Sequence, residues 1–190
     1  TSEKYWGRGY TKDGMAKAAD FIASEFKSFG LKPVNGSDFK QYFSFPVNTF
    51  PSKMVLKIDG KPLIPGKDFI VHQASKGINT SDNLIQKDSV TYLSKNGTIA
   101  LNLVPKLTWS VSQRVFDFTI IEVNKKSITS QPTIIEADIE NKVVPNFTAA
   151  NVVAIVKGTA QPDSLIVFTA HYDHLGGMGD KAYFPGANDN

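Results

Sequence analysis

The sequence predicts an α/β protein whose mixed sheet is interrupted by a β-rich insert. Three observations lead to this fold class: a helical repeat of apolar residues near the start, short β-favouring runs between turn residues in the middle, and continuous apolar runs near the end. These patterns divide the chain into a helix and strand at 1–45, a β-rich insert at 46–145, and further strands with a candidate site at 146–190.

The composition fits a globular protein and excludes several classes of function. Hydrophobic residues make up 41% of the 190 residues, which is enough for a core. The 21 basic and 18 acidic residues are scattered, so no nucleic-acid partner is expected. No apolar run approaches the roughly 18–20 residues of a membrane-spanning helix, so no membrane partner is expected either. Because the sequence has no cysteine, any zinc must be bound by histidine and carboxylates.

One amphipathic helix is predicted for residues 11–29. Its apolar stripe recurs at spacings of three and four residues, and consists of Met15, Ala19, Ile22, Phe26 and Phe29. Gly30 follows at the position where a left-handed C-terminal cap is needed, and Pro33 prevents the helix from resuming. The aromatic segment QYFSF at 41–45 then has the period-2 pattern of a strand, and we expect it to pack on the core.

The insert at 46–145 alternates β-favouring runs with Gly, Pro, Asn and Asp. Asp59-Gly60 and Asn96-Gly97 are favourable hairpin centres, because such pairs tolerate the positive φ angles of tight turns. His72 and Trp109 are isolated within this region. A lone histidine in a strand is more often packed than metal-bound, so both residues are predicted to have structural roles.

Two continuous apolar runs, NVVAIVK at 151–157 and SLIVFTA at 164–170, are typical of buried strands. The six residues between them are too few for a parallel crossover, so an antiparallel hairpin is predicted, with its turn at Gly158 and Pro162-Asp163. Polar residues concentrate after the second run, and they are followed by a Gly-rich loop in which Asp180 is expected to be solvated. Since ligands bind at the carboxyl ends of strands in open α/β sheets, His171, Asp173 and Asp189 are candidate site residues, and His174 shares their position.

His171 and Asp173 are two residues apart, so an extended backbone projects both side chains to the same side. The carboxylate could then accept a ring N–H from the histidine, as in carboxylate–histidine–metal arrangements. The H-x-D spacing alone is a weak signal, because ordinary hydrogen bonding within a loop produces the same pattern.

The segment SLIVFTAHYDHLGG, followed after a short loop by PGANDN, resembles the first half of the signature of peptidase family M28. In that family a strand leads into HxDH, and a GANDNASG segment comes later. The opening YWGRGYTKDGMAKAADFIASEFKSFGLKP is similar to the family's N-terminal helix and its Gly-Leu-x-Pro exit, and TAANVVAIVKG is similar to its first sheet strand. The resemblance implies a zinc exopeptidase-like fold, truncated before the catalytic site is complete. It does not extend to the insert.

The resemblance also implies roles for three residues. His171 would bind one zinc ion, Asp189 would bridge two zinc ions, and Asp173 would be the catalytic-site residue that orients His171. The family hydrolyses peptide bonds with a metal-activated water, and its glutamate general base and remaining ligands would follow Asn190. The expected function is therefore that of a zinc aminopeptidase acting on peptides. Residues 1–190 are expected to be inactive alone, to need the C-terminal half of the domain as a partner, and to self-associate without it.

Two alternative functions stay open from the sequence. One is a non-catalytic binding or scaffold relative of the same fold, and the other is a single-zinc enzyme like glutaminyl cyclase. A Glu-Glu pair and a later Asp and His after residue 190 would indicate an enzyme, whereas their loss would indicate a binding module. The HYDHLGG and GANDN segments favour the peptidase branch. The TSEK start suits a mature exported protein, which predicts a secreted or periplasmic location.

Overall fold

The computed structural model describes residues 10–161 and 164–184. This part of the chain has mixed α/β content, with one α-helix and mostly strands, as the sequence predicted. The helix is α1 (Gly14–Ser28). The strands are β1 (Lys32–Pro33), β2 (Lys40–Thr49), β3 (Met54–Ile58), β4 (Lys61–Leu63), β5 (Phe69–Val71), β6 (Ile78–Gln86), β7 (Thr91–Ser94), β8 (Ile99–Val104), β9 (Thr119–Asn124), β10 (Ile134–Ile139), β11 (Lys142–Val152), β12 (Ala154–Ile155), β13 (Gly176–Met178) and β14 (Ala182–Phe184). No helix in the described ranges is long and apolar enough to cross a membrane.

Helix α1 confirms the helix predicted from the apolar repeat, and it packs against β11. It ends in a Schellman motif: the N–H of Gly30 donates to the carbonyl oxygen of Lys27, and the N–H of Leu31 donates to that of Phe26. Gly30 has a φ of 73°, the left-handed conformation expected at this position. The helix therefore stops where the sequence indicates.

The long strands β2 and β11 pair antiparallel, with a register shift between Val144 and Phe147. β2 includes the predicted strand at 41–45. The expectation that this segment packs on the core is wrong, because Tyr42 and Phe43 are exposed. The aromatic rings pack on one another at the surface instead, and those of Phe43 and Phe45 are stacked 5.7 Å apart.

The region between β2 and β11 forms an eight-stranded sheet in the order β4-β3-β10-β6-β7-β8-β9-β5, which we call the sheet module. Neighbouring strands are antiparallel except β8 and β9, which are parallel. Alternate side chains along each strand point to the same face of the sheet, and on one face they form the core, where Ile121, Val123 and Ile135 are fully buried. The β-rich character predicted for the insert is thus present. Trp109 is buried in the same core, as predicted.

Both hairpin centres predicted in the sheet module are turns. β3 and β4 are joined by two residues, Asp59 and Gly60, with φ angles of 49° and 77°. Positive φ at both positions is typical of a type I′ turn, whose twist matches that of the paired strands. Asn96 and Gly97 lie between the antiparallel strands β7 and β8, and Gly97 has a φ of 74°.

The predicted hairpin of 151–157 with 164–170 does not form. Instead, β11 continues to Val152, and β12 pairs with β1. Residues 164–170 form no strand, and the four apolar residues at 165–168 are 74–92% exposed. A strand depends on hydrogen bonds to a neighbour, so the apolar composition that predicted it is not sufficient without a paired strand. The turn predicted at Pro162-Asp163 lies outside the described residues.

Candidate functional site

The predicted site segment follows the exposed run, and Tyr172 is its first anchored residue. The half-buried Tyr172 hydroxyl donates a hydrogen bond of 2.5 Å to the backbone carbonyl of Ala150 in β11. Burial, and secondly the negative charge of Asp173, raise the pKa of the Tyr172 hydroxyl, so it stays protonated and remains a donor at neutral pH. The strand pair β2–β11 thereby fixes the backbone between His171 and Asp173.

His171 and Asp173 lie side by side, although the contact differs from the one the spacing suggested. The Nδ1 of His171 is 2.7 Å from the backbone carbonyl oxygen of Asp173 and 3.8 Å from its carboxylate Oδ1. A carbonyl oxygen only accepts, so Nδ1 carries the proton and Nε2 carries the lone pair in the neutral ring. This is the tautomer in which Nε2 can bind a metal ion.

The two side chains differ in exposure. The His171 side chain is 42% exposed, whereas that of Asp173 is 14% exposed. The imidazole is therefore more exposed to solvent than the carboxylate. A carboxylate in this position can act electrostatically on the histidine, and the backbone carbonyl makes the direct hydrogen bond.

A cleft of about 150 Å³ lies next to the site segment, between α1 and the β2–β11 pair. Tyr172 contributes to its lining. Lys40 and Asp20 both line it and lie 2.5 Å apart, and the hydrogen bond that Lys40 donates to the Asp20 carboxylate raises the pKa of Lys40. The lysine is thus held as a cation by a carboxylate of the helix. The cleft is too small for a peptide, but it joins the site segment to the N-terminal helix.

The residues after the site segment were predicted to be a Gly-rich loop, with Asp180 solvated in it. They form the hairpin β13–β14 instead, which enters the core of the sheet module. Met178 is fully buried, and the ring of Phe184 stacks on that of Trp109 at 5.2 Å. Asp180 is exposed at the turn, as expected, but its N–H donates to the carbonyl oxygen of Ser52. The sequence signal for this hairpin was the presence of single apolar residues among glycines.

The structure brings two of the three predicted site residues together, His171 and Asp173. Asp189 lies outside the described residues. Within 10–161 and 164–184, no three histidine or carboxylate side chains form a group able to hold a metal ion. His72 has the predicted structural role: its ring stacks on Phe116, and its Nδ1 accepts a hydrogen bond from the Ala74 N–H.

Comparison with protein families gives a match that includes the site segment. Residues 151–190 match the model of peptidase family M28, a range that includes His171, Asp173 and Asp189. The resemblance to this family predicted from the HYDH and GANDN segments is therefore confirmed over these 40 residues.

Among solved structures, the chain is similar to an aminopeptidase from Aneurinibacillus sp. strain AM-1, with 18% sequence identity and a TM-score of 0.49. The similar region covers 77% of this chain and 43% of that aminopeptidase, so the chain spans less than half of its length. A comparison with curated proteins gives no match.

Proposed function

We propose that this chain is the N-terminal part of a metal-dependent exopeptidase, an aminopeptidase that uses zinc to hydrolyse peptides from their N-terminal end. The observation that carries the proposal is the match of residues 151–190 to a peptidase family, with His171 held in a metal-binding tautomer inside the matched range. The division into an N-terminal segment at 1–45, an insert at 46–145 and a site segment at 146–190 belongs to the same proposal.

The donor chemistry of these residues fits zinc. Zn²⁺ binds imidazole nitrogen and carboxylate oxygen, and His171 with Asp189 would supply one of each. Asp173 would orient the imidazole through its backbone carbonyl, which accepts from Nδ1, as the acceptors next to metal-bound histidines do. A catalytic zinc site normally has three protein ligands and an open position, so two such residues make only part of a site. The chain alone is therefore proposed to be inactive.

Zinc would supply a Lewis acid that activates water and polarises the scissile carbonyl, and two ions are proposed. The residues of this chain have supporting tasks. Tyr172 holds the segment on β11, and the Asp173 carbonyl keeps the proton on Nδ1 of His171. The partners that follow from the proposal are a peptide substrate and the C-terminal half of the domain, and the proposed location is outside the cytoplasm.

The test uses the full-length protein that contains residues 1–190. Removal of zinc with a chelator should abolish the release of N-terminal residues from a short peptide, and added zinc should restore it. His171→Ala and Asp189→Ala should each remove most of this activity and lower the zinc content. His72→Gln is the matched control, because His72 packs on Phe116 in the sheet module.

Full activity of the His171→Ala variant would refute the assignment. A folded protein that binds zinc but releases no residue from any peptide would favour the scaffold alternative. A stoichiometry of one zinc ion per chain, together with cyclisation of an N-terminal glutamine, would favour the glutaminyl cyclase alternative.

A further inference from the structure

The chain contains two asparagine–glycine pairs, Asn35-Gly36 and Asn96-Gly97. Such a pair can react within itself: the glycine nitrogen attacks the asparagine side-chain carbonyl, because a residue without a Cβ leaves that approach open. The two glycines have similar φ angles of 62° and 74°, and a Cβ added to either would meet no atom within 4 Å. The two pairs therefore have the same chemistry and differ in their hydrogen bonds.

Asn96 lies in the turn between β7 and β8, and both of its reacting groups are occupied. Its Oδ1 accepts hydrogen bonds from the Ser94 hydroxyl at 2.8 Å and from the N–H and hydroxyl of Thr98 at 3.0 and 2.7 Å. The N–H of Gly97 donates to the carbonyl oxygen of Ser94 at 2.9 Å. Ser94 is itself buried. Attack on the Cγ of Asn96 therefore requires hydrogen bonds of both groups to break first.

Asn35 lies in the loop between β1 and β2, and it is exposed, as is Gly36. Within the described parts of the chain, neither the Asn35 side chain nor the Gly36 N–H takes part in a hydrogen bond. The loop is held at its start, where Pro33 pairs with Ala154 of β12. The Asn35 side chain can therefore turn its Cγ towards the Gly36 nitrogen without losing a contact.

From this contrast we propose that Asn35 is a site of spontaneous modification to aspartate and isoaspartate, and that hydrogen bonds protect Asn96 from the same reaction. The Gly36 nitrogen forms a bond to the Cγ of Asn35, and the bond from Cγ to the side-chain nitrogen breaks. That nitrogen leaves as ammonia and takes the proton of the Gly36 N–H. Water then opens the cyclic imide at either of its carbonyls, which gives aspartate or isoaspartate.

Both products change the connection between β1 and β2. Each replaces a neutral amide by a carboxylate, and isoaspartate also lengthens the backbone by one carbon atom. Because the loop is exposed at this point, the reaction needs no strand to unfold. The modification therefore occurs in the native protein.

The test incubates the folded full-length protein at mildly alkaline pH, where a backbone nitrogen loses its proton more readily. Peptide mapping by mass spectrometry follows both asparagines. Asn35 should convert at least about tenfold faster than Asn96, because two or more hydrogen bonds must break at Asn96. Thr98→Val removes one donor and keeps the side-chain shape, so it should accelerate conversion of Asn96 by about two- to tenfold. Asn35→Gln moves the amide one carbon atom away from the Gly36 nitrogen and should abolish the rapid release of ammonia.

The same measurement in denaturant separates the effect of the fold from that of the neighbouring residues. The two rates should approach each other there, because the unfolded chain no longer protects Asn96. A preference for Asn35 that persists unchanged in denaturant would overturn the inference. Conversion of Asn96 as fast as that of Asn35 in the folded protein would also overturn it, since the donors on Oδ1 would then activate the amide. Two further results refute it: no conversion of Asn35 in the folded protein while the unfolded chain reacts, or an unchanged rate at Asn96 in Thr98→Val.

Discussion

The exposed run at 165–168 should make residues 1–190 self-associate, and substitution of two of its side chains should prevent this. Ile166 and Phe168 are 86% and 92% exposed. In an extended segment they project to the same side, so one neighbouring strand would cover both. Full burial of such a side chain contributes about 1.5–3 kcal/mol, so the pair would contribute about 3–6 kcal/mol to association. This corresponds to roughly a 150- to 20,000-fold change in the dissociation constant.

The perturbation is therefore the double variant Ile166→Lys/Phe168→Lys, and the assay is sedimentation velocity over a range of protein concentrations. Wild type should shift to larger species as the concentration rises, whereas the double variant should remain monomeric. Its melting temperature should not fall, because neither side chain is packed. The control is Phe29→Lys, which removes an exposed aromatic residue at the end of α1 and should leave association unchanged. Identical sedimentation of wild type and the double variant would refute the reasoning.

Three further changes test individual contacts. Asp173→Asn should weaken zinc binding by less than about tenfold, since the backbone carbonyl of residue 173 still orients His171. Competition with a chelator measures the zinc affinity. A loss of affinity beyond about 100-fold would show that the Asp173 carboxylate is itself a ligand. Tyr172→Phe removes the hydrogen bond to the Ala150 carbonyl, so it should lower the free energy of unfolding by about 0.5–1.5 kcal/mol and lower the melting temperature. An unchanged melting temperature would contradict the anchoring role of Tyr172. For Asp59, burial opposes ionisation, but hydrogen bonds from the start of β10 outweigh it and lower its pKa below the usual 3.8. Its stabilising contribution is therefore present above this pH and lost below it, so Asp59→Asn should lower the melting temperature at pH 7, with a difference that disappears on acidification.

Local signals in the sequence were sufficient for the parts of the fold that depend on local geometry. The apolar repeat and Gly30 predicted α1 and its C-terminal end, because both the stripe and the Schellman motif are properties of one helix, although the helix begins at Gly14 and not at residue 11. Asp59-Gly60 predicted a tight turn for the same reason, since few residue pairs adopt two positive φ angles. The HYDH segment was found as a motif, and its two neighbouring residues do lie together.

Features that depend on distant partners were missed. The run at 164–170 has the composition of a buried strand, but its state depends on a neighbour that its own residues do not specify. The hairpin at 176–184 has few apolar residues and many glycines, so it lacks the period-2 pattern of a strand. Its structure depends on the space that the sheet module leaves for Met178. The acceptor for His171 was also unpredictable, because sequence spacing does not distinguish a carboxylate from a backbone carbonyl.

The burial of Met178 in the sheet module has a consequence for the order in which the protein is made. The last strand of the module ends at Ile139, about 40 residues before Met178. At a synthesis rate of about 5–20 residues per second, the module is complete for roughly 2–8 s before the side chain that fills its core leaves the ribosome. During that interval an apolar gap beside β3 and β5 faces water. We therefore expect the nascent chain to be a target for chaperones until its own hairpin closes the gap.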